Sequence, residues 1–477
     1  MRTLPRRALV GALAVSLLGC AQTPLLVHRA TVLASALGSE EVIARPQTAS
    51  GGWIGGATEL EVVPVGEATE THVGLWIDVP QAATATARAP VDLALVVDCS
   101  GSMAVEGRLE HAKSAATSMI ETLHDGDLVS IYAFSDQVYE YAAPTVVSPA
   151  SRGTLIQAIA RMQTMSGTNL YAGLQAGEAR AMAAPPTHAI RRVVVISDGM
   201  ANVGPSTPDE LGALAARGTD HAVQVSAIGV GLQYDERTLG ALAMRSSGRL
   251  YHLEAPSQMA EILRTEFDRL AHTAATDAYV ELVPAEGSEL LGVESAQFER
   301  RPDGKVRIPL GALHAGQHRE LLVRTRLRAD RAGARPVASA RLVFRDPAGA
   351  RVERTQQLSL AVQARADAAQ GARRADARVA AMVAGHQAAQ AQLRAVQLLN
   401  EGRAAQAAQE FARVERELQQ AQSVAAAAPE SVRENLRRQA AGVARSRARA
   451  TDAAARPASA RAAALGANAD AYNALGF

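Results

Sequence analysis

The segment Val91-Asp92-Leu93-Ala94-Leu95-Val96-Val97 is apolar at all but one position and runs directly into Asp98-Cys99-Ser100-Gly101-Ser102. Apolar residues at consecutive positions read as a strand buried on both faces, and such strands belong to parallel sheets covered by helices on each side. The carboxylate of Asp98 and the hydroxyls of Ser100 and Ser102 then stand just past the carboxyl end of a strand. That is where open α/β sheets bind their ligands. Asp and Ser offer only hard oxygen donors. Such donors suit Mg²⁺, Mn²⁺ or Ca²⁺ rather than Zn²⁺ or Cu²⁺.

Two further segments extend the pattern. Thr168 lies in Ser166-Gly167-Thr168-Asn169-Leu170, and Asp198 closes a second buried-strand pattern, Val193-Val194-Val195-Ile196-Ser197-Asp198-Gly199. Together with Asp98-Cys99-Ser100-Gly101-Ser102 this resembles the metal-ion-dependent adhesion site (MIDAS) of von Willebrand factor A domains. The resemblance implies a doubly wound, Rossmann-like domain that binds one divalent cation, Mg²⁺ foremost and Mn²⁺ or Ca²⁺ otherwise. It implies that the Ser100, Ser102 and Thr168 hydroxyls approach the metal directly or through water. Asp98 and Asp198 would act mostly through water. One coordination position stays open for an Asp or Glu carboxylate of a partner protein. Gly101, Met103, Glu106, Asn169, Met200 and Asn202 are the candidates for a specificity-setting rim. Cys99 has no metal role in that pattern, and as a small hydrophobe it is expected to point into the core.

Across 91–272 strands alternate with helices, including one over Pro208–Arg217 that Thr207 or Ser206 caps ahead of Pro208-Asp209-Glu210. The flanks read differently. Leu60 and Val62, then Val73, Leu75, Ile77 and Val79, alternate as two strands around Pro64–Ala68. Alternation returns in Val306-Ile308-Leu310, in Leu321 to Leu327 and in Leu358-Leu360-Val362, with turns at Pro302-Asp303-Gly304 and Asp346-Pro347-Ala348-Gly349. An isolated hairpin is marginal, so the strands of 58–80 are expected to complete the later ones into a β-sandwich that contains the α/β domain as an insertion. The division expected is 57–87 and 274–364 for the sandwich, 88–273 for the α/β domain and 365–477 for a helical region. In that last region Leu393, Val396 and Leu399, then Phe411, Val414 and Leu418, mark amphipathic faces, and 398–411 resembles one tetratricopeptide hairpin.

Arg2, Arg6 and Arg7 precede the apolar run Ala8–Leu18, which is too short to span a bilayer and reads as a signal peptide. It ends in Leu17-Leu18-Gly19-Cys20, which resembles a bacterial lipobox. That resemblance implies removal of 1–19 and lipidation of Cys20, while Pro46, Gly51, Gly52, Gly55 and Gly56 read as the end of a tether over 20–56. With Ala21 following, it implies an outer-membrane anchor in the cell envelope. A formal net charge of +1 gives no global field that favours nucleic acid. No nucleophile elbow or phosphate-binding loop appears, and Ser100 stands where a phosphohydrolase of similar layout would need an acid, so no catalysis is expected. Two functions remain. One is metal-dependent capture of a protein partner. The other is a structural envelope scaffold in which the helical tail makes the contacts.

Overall fold

The computed structural model describes residues 47–48, 52–81, 89–232, 234–253, 272–294, 296–347, 351–367 and 376–475. The signal peptide, Cys20, most of the expected tether and residues 254–271 of the expected α/β domain lie outside the described residues.

The central sheet has the order β10-β9-β8-β5-β6-β7, with β5 Val91–Asp98, β6 Leu128–Phe134, β7 Val138–Val146, β8 Ile190–Ser197, β9 Val223–Val230 and β10 Leu250–Leu253. All neighbours are parallel except the edge strand β7. Every residue of β5 is buried. Its Val91, Leu93, Leu95 and Val97 enter one hydrophobic cluster, while Ala94 and Val96 enter another on the opposite face. That two-sided burial is why the run lacks alternation. Helices α1 Arg108–Thr122, α2 Pro149–Ala160, α3 Leu170–Met182, α4 Pro208–Arg217 and α5 Glu236–Arg245 cover the sheet. The start of α4 has the expected cap: the Thr207 hydroxyl accepts from the Glu210 amide and the Glu210 carboxylate accepts from the Thr207 amide. Strand order reverses between β5 and β8, so the carboxyl ends of these two strands flank a topological switch point.

The sandwich takes strands from both sides of this domain. Before it come β1 Gln47–Thr48, β2 Ile54–Thr58, β3 Val62–Pro64 and β4 Ala68–Asp78. After it come β11 Thr273–Pro284, β12 Ser288–Val293, β13 Glu299–Arg300, β14 Val306–His314, β15 His318–Arg328, β16 Gly333–Arg345 and β17 Glu353–Arg365. One sheet runs β1-β2-β4-β15-β12 and the other β13-β14-β11-β16-β17-β3. Strand β4 pairs antiparallel with β15 along its whole length, from Ala68↔Arg328 to Asp78↔His318. Val73, Leu75 and Ile77 share one core with Leu282, Ile308, Leu321 and Leu360. The Rossmann-like domain is thus an insertion in a β-sandwich.

Two expectations change. The two strands expected around 64–68 do not pair with each other: β3 joins β17 in parallel in one sheet, and β4 pairs with β2 and β15 in the other. Residues 54–56, read as the end of a tether, form strand β2 with Ile54 fully buried. The glycines there serve close approach rather than a turn. A Cβ on Gly55 would lie 2.1 Å from Trp76 Nε1, and one on Gly56 would lie 2.7 Å from Leu75 Cδ2.

Four helices follow: α6 Ala377–Asn400, α7 Ala404–Val424, α8 Glu430–Ala455 and α9 Ala460–Leu475. Each packs on the next, and α9 returns to α6, so they close as a bundle instead of stacking as hairpin repeats. Val396, Leu399, Phe411, Val414 and Leu418 are buried in its core. The bundle docks twice. Val379 and Met382 of α6 cover Trp76 and Leu322 on the outer face of the sandwich, with the Arg378 guanidinium 3.8 Å over the Trp76 ring. Leu465 of α9 is buried in the same cluster as Leu239 and Leu242 of α5. Among the described residues no helix is long and apolar enough to cross a membrane.

Candidate metal centre

Backbone pairing fixes the first loop of the site. The Cys99 amide donates to the Phe134 carbonyl at 2.8 Å, the Met165 amide to the Cys99 carbonyl at 2.6 Å and the Met103 amide to the Ser100 carbonyl at 3.1 Å. Cys99 is fully buried in the core cluster, and burial pushes its thiol up to about 12. The side chains on either side of it turn the other way. The Asp98 Oδ1 accepts from the Ser100 amide at 2.8 Å, and the Ser100 and Ser102 hydroxyl oxygens stand 3.0 Å apart. Glu106 and Gly107 adopt left-handed conformations that bring the chain round into α1.

Ser197 was not singled out by its sequence position. Its hydroxyl donates to Asp98 Oδ2 at 2.5 Å and accepts from the Gly199 amide at 2.7 Å, so it ties the two strand ends together. Asp198 then leaves β8 with its Oδ1 accepting from the Met200 amide at 3.3 Å. Thr168 is held by a reciprocal clamp. Its amide donates to Asn202 Oδ1 at 2.9 Å, while its carbonyl accepts from the amides of Asn202 and Val203. A Cβ on the preceding Gly167 would sit 2.9 Å from that of Asp136, and Gly167 has a φ of +78°. Only glycine allows the chain to pass there.

The electrostatics are those of a cation site. Asp98 and Asp198 are both fully buried. Burial pushes the Asp98 carboxyl up to about 6, and the Asp198 charge adds to the shift. Asp198 has a counter-charge in Arg108, whose Nη1 donates to its Oδ2 at 3.2 Å; Asp98 has no cationic partner among the described residues. Arg108 opens α1 with its side chain only 4% exposed, and sequence reasoning missed it because an arginine after a glycine reads as a solvent-facing helix start. No group of three His, Cys, Asp or Glu side chains able to hold a metal occurs among the described residues. A cation here would therefore be held by two carboxylates and three hydroxyls. A buried carboxylate with no positive partner, beside hard oxygen donors, fits a dication.

The expected rim divides. Gly101, Ser102, Thr168, Met200 and Asn202 line one cleft of about 800 Å³. Met200 is 51% exposed and projects into it. Glu106 is exposed and lies 3.7 Å from the Arg108 guanidinium. Asn169 caps α3, its Oδ1 accepting from the Ala172 amide. Met103 cannot be a rim residue: it is fully buried, packed into the apolar cluster beneath the loop. The far wall of the cleft was not foreseen, since it comes from the helical bundle. Arg461 of α9 donates to Glu236 Oε2 at 2.7 Å and to the Tyr234 carbonyl at 2.6 Å, and Asn400 Nδ2 donates to Glu236 Oε1 at 3.1 Å. Nothing in the sequence spacing connects residues 236, 400 and 461.

Comparison with known proteins agrees with this geometry. Residues 92–265 match the von Willebrand factor type A domain. An uncharacterized protein of Synechocystis is 27% identical over 274 residues, covering 55% of this chain and 63% of that protein. The Escherichia coli protein YfbK is 25% identical over 246 residues, covering 50% and 42%. The chain thus spans less than two thirds of either relative. A solved structure described as von Willebrand factor type A from Catenulispora acidiphila shares the fold, with a TM-score of 0.63 at 18% identity, over 84% of this chain and 91% of that one. Domains of this type are often involved in protein–protein interaction and adhesion, and commonly bind a divalent metal. The segment 92–265 of this chain is a von Willebrand factor type A domain, carried as an insertion in a β-sandwich and followed by a helical region.

Proposed function

We propose that this protein captures a partner protein through a divalent cation held by Asp98, Ser100, Ser102, Thr168 and Asp198. The observation that supports the reading is that buried Asp98 and Asp198 stand at the carboxyl ends of β5 and β8, at the switch point, while Ser102 and Thr168 line an open cleft of about 800 Å³. Mg²⁺ is the expected ion, because such an ion keeps several waters and needs few protein carboxylates. An Asp or Glu of the partner displaces one of those waters. Asp98 and Asp198 supply the charge, Ser197 and Arg108 hold them in place, and Met200 meets the partner at the mouth of the cleft. Among the described residues the site offers no activated nucleophile and no general acid aimed into the cleft, which supports coordination over turnover. The leader sequence supports attachment of the mature chain to the cell envelope by lipid on Cys20.

Titration calorimetry of Mg²⁺ and Mn²⁺ into the wild type and Asp98→Ala tests the site. Equal affinities in the two would end the assignment. Cross-linking in native envelopes, with chelator and with Mg²⁺ restored, tests the function. Partners should vanish with chelator and return with metal, and Thr168→Ala should reproduce the loss. An unchanged set of partners would favour a scaffold that interacts through its helical bundle.

A further inference from the structure

A second cavity, of about 840 Å³, lies where the start of β10, one end of the sandwich and the helical bundle meet. Its charged lining is unbalanced. The carboxylates of Glu320 and Asp470 face it but are engaged, Glu320 with His318 Nε2 at 3.0 Å and Asp470 with Arg445 and Arg449 at 2.8 and 3.2 Å. Two guanidiniums in the lining have no such partner among the described residues. Arg319, at the start of β15, donates from Nη1 to the Leu310 carbonyl at 3.1 Å and makes no ion pair. Burial and the nearby positive charge of Arg249 lower its pKa to about 10. Arg438 of α8 also makes no ion pair, whereas Arg433, Arg437, Arg445, Arg447 and Arg449 on the same helix each have an acidic partner.

Neutral polar groups in the same lining are unsatisfied as well. Gln439 donates from Nε2 to the Ala474 carbonyl at 3.2 Å, but its buried Oε1 has no hydrogen-bond donor. His386 Nδ1 is buried and likewise unpartnered. A largely buried guanidinium that faces another cation is costly unless an anion neutralises it. An orphaned buried acceptor calls for a donor.

We propose that this cavity binds a small organic oxyanion carrying at least two negative charges and a hydroxyl or amide donor. Arg319 and Arg438 grip the anionic groups, and Gln439 accepts from the donor. Planar guanidinium forks suit carboxylates and phosphates alike. The volume falls within the roughly 300–1,000 Å³ usual for small-molecule sites. The site is independent of the metal centre.

Titration calorimetry on the full chain, in EDTA and at constant ionic strength, tests it with three probes: citrate, inorganic phosphate and glycerol. One saturable site is expected for an anion and none for glycerol. Binding of citrate alone identifies a polycarboxylate ligand, and binding of phosphate alone a phosphate ester. Arg319→Gln and Arg438→Gln should each weaken binding by about tenfold or more, the effect of losing a charge-assisted hydrogen bond. Asp98→Ala should bind as the wild type does. Arg438 is exposed, so its substitution leaves the fold intact and reports on the ligand alone. The absence of saturable binding by either anion would overturn the proposal, as would wild-type affinity in Arg438→Gln.

Discussion

Arg108 is a built-in counter-charge to Asp198 at the candidate metal centre, and its replacement by Met separates that role from packing. Met keeps most of the length of the side chain and removes the guanidinium. The Arg108–Asp198 pair is 3.2 Å long, and the two side chains are 4% and 0% exposed. At an effective dielectric of about 20, two unit charges roughly 4 Å apart attract by about 4 kcal/mol. Breaking a buried pair by removing one partner costs about 3–5 kcal/mol, because the other charge is stranded. Arg108→Met should therefore be destabilised by a few kcal/mol in EDTA. A dication bound beside Asp198 restores the missing positive charge, so Mg²⁺ should recover more stability in the variant than in the wild type. Linkage sets the scale: about 2.7 kcal/mol when Mg²⁺ stands at 100 times its dissociation constant. Tryptophan fluorescence cannot report this, because Trp53 and Trp76 both lie in the sandwich. Amide exchange across β5 and β8, read by mass spectrometry with and without Mg²⁺, can. Equal protection of wild type and variant in EDTA, or equal gains with Mg²⁺, would refute the argument.

Glu178 of α3 is fully buried, with both carboxylate oxygens lacking hydrogen bonds, and burial pushes its pKa up to about 8. A carboxyl whose pKa is raised on folding costs stability as pH climbs from about 4.5 to 8, so Glu178→Met should gain up to about 3 kcal/mol at pH 7 in urea unfolding and flatten that slope. A wild-type slope unchanged in the variant would count against it. His318 shows the opposite linkage. Burial alone would lower its pKa, but hydrogen bonds to Asp78 and Glu320 prevail and hold it at about 9. Its contribution, at most about 3 kcal/mol, is complete below about pH 6.5 and is lost as pH rises through 9. His318→Gln should remove that alkaline decline in the unfolding midpoint. Gly55→Ala drives a methyl group into the Trp76 indole, so it should lower the unfolding free energy reported by tryptophan fluorescence by about 1–3 kcal/mol. No change there would mean that the strand can shift.

The parts legible in the sequence are those fixed by local rules. Two-sided burial of β5 and β8 wrote itself as the apolar runs 93–97 and 193–196, and the cap on α4 as Thr207-Pro208-Asp209-Glu210. The oxygens of the candidate site stood out in the sequence because each follows such a strand or a glycine turn. What escaped depends on long-range contact. Gly55 and Gly56 carry the residue type of a loop, and only the Trp76 indole against the first and the Leu75 side chain against the second show that they form a strand. Met103 sits among site residues in sequence, but the turn of the loop points it into the core. The partition of β3 and β4 between two sheets depends on β15 and β17, some 250 to 300 residues later. Arg461 has no local signal at all, since its role exists only because α9 docks on α5.

That docking has a consequence for how the chain can be cut and how it can respond. Glu236 is held by one residue from the end of α6 and one from the start of α9, and both also line the cleft beside the candidate metal oxygens. Excising the inserted domain would bare Leu239 and Leu242 where Leu465 now covers them, and would strip the cleft of its far wall. An occupant that reached Glu236 would have to compete with Arg461 for it, and in doing so would loosen the bundle from the domain. By reciprocity, a ligand whose binding loosened the bundle would then change affinity at the cleft by the factor with which that occupant changed its own. On the proposed function the bundle would rest on the binding face like a lever arm, and occupancy of the cleft and seating of the bundle would be two readings of a single equilibrium.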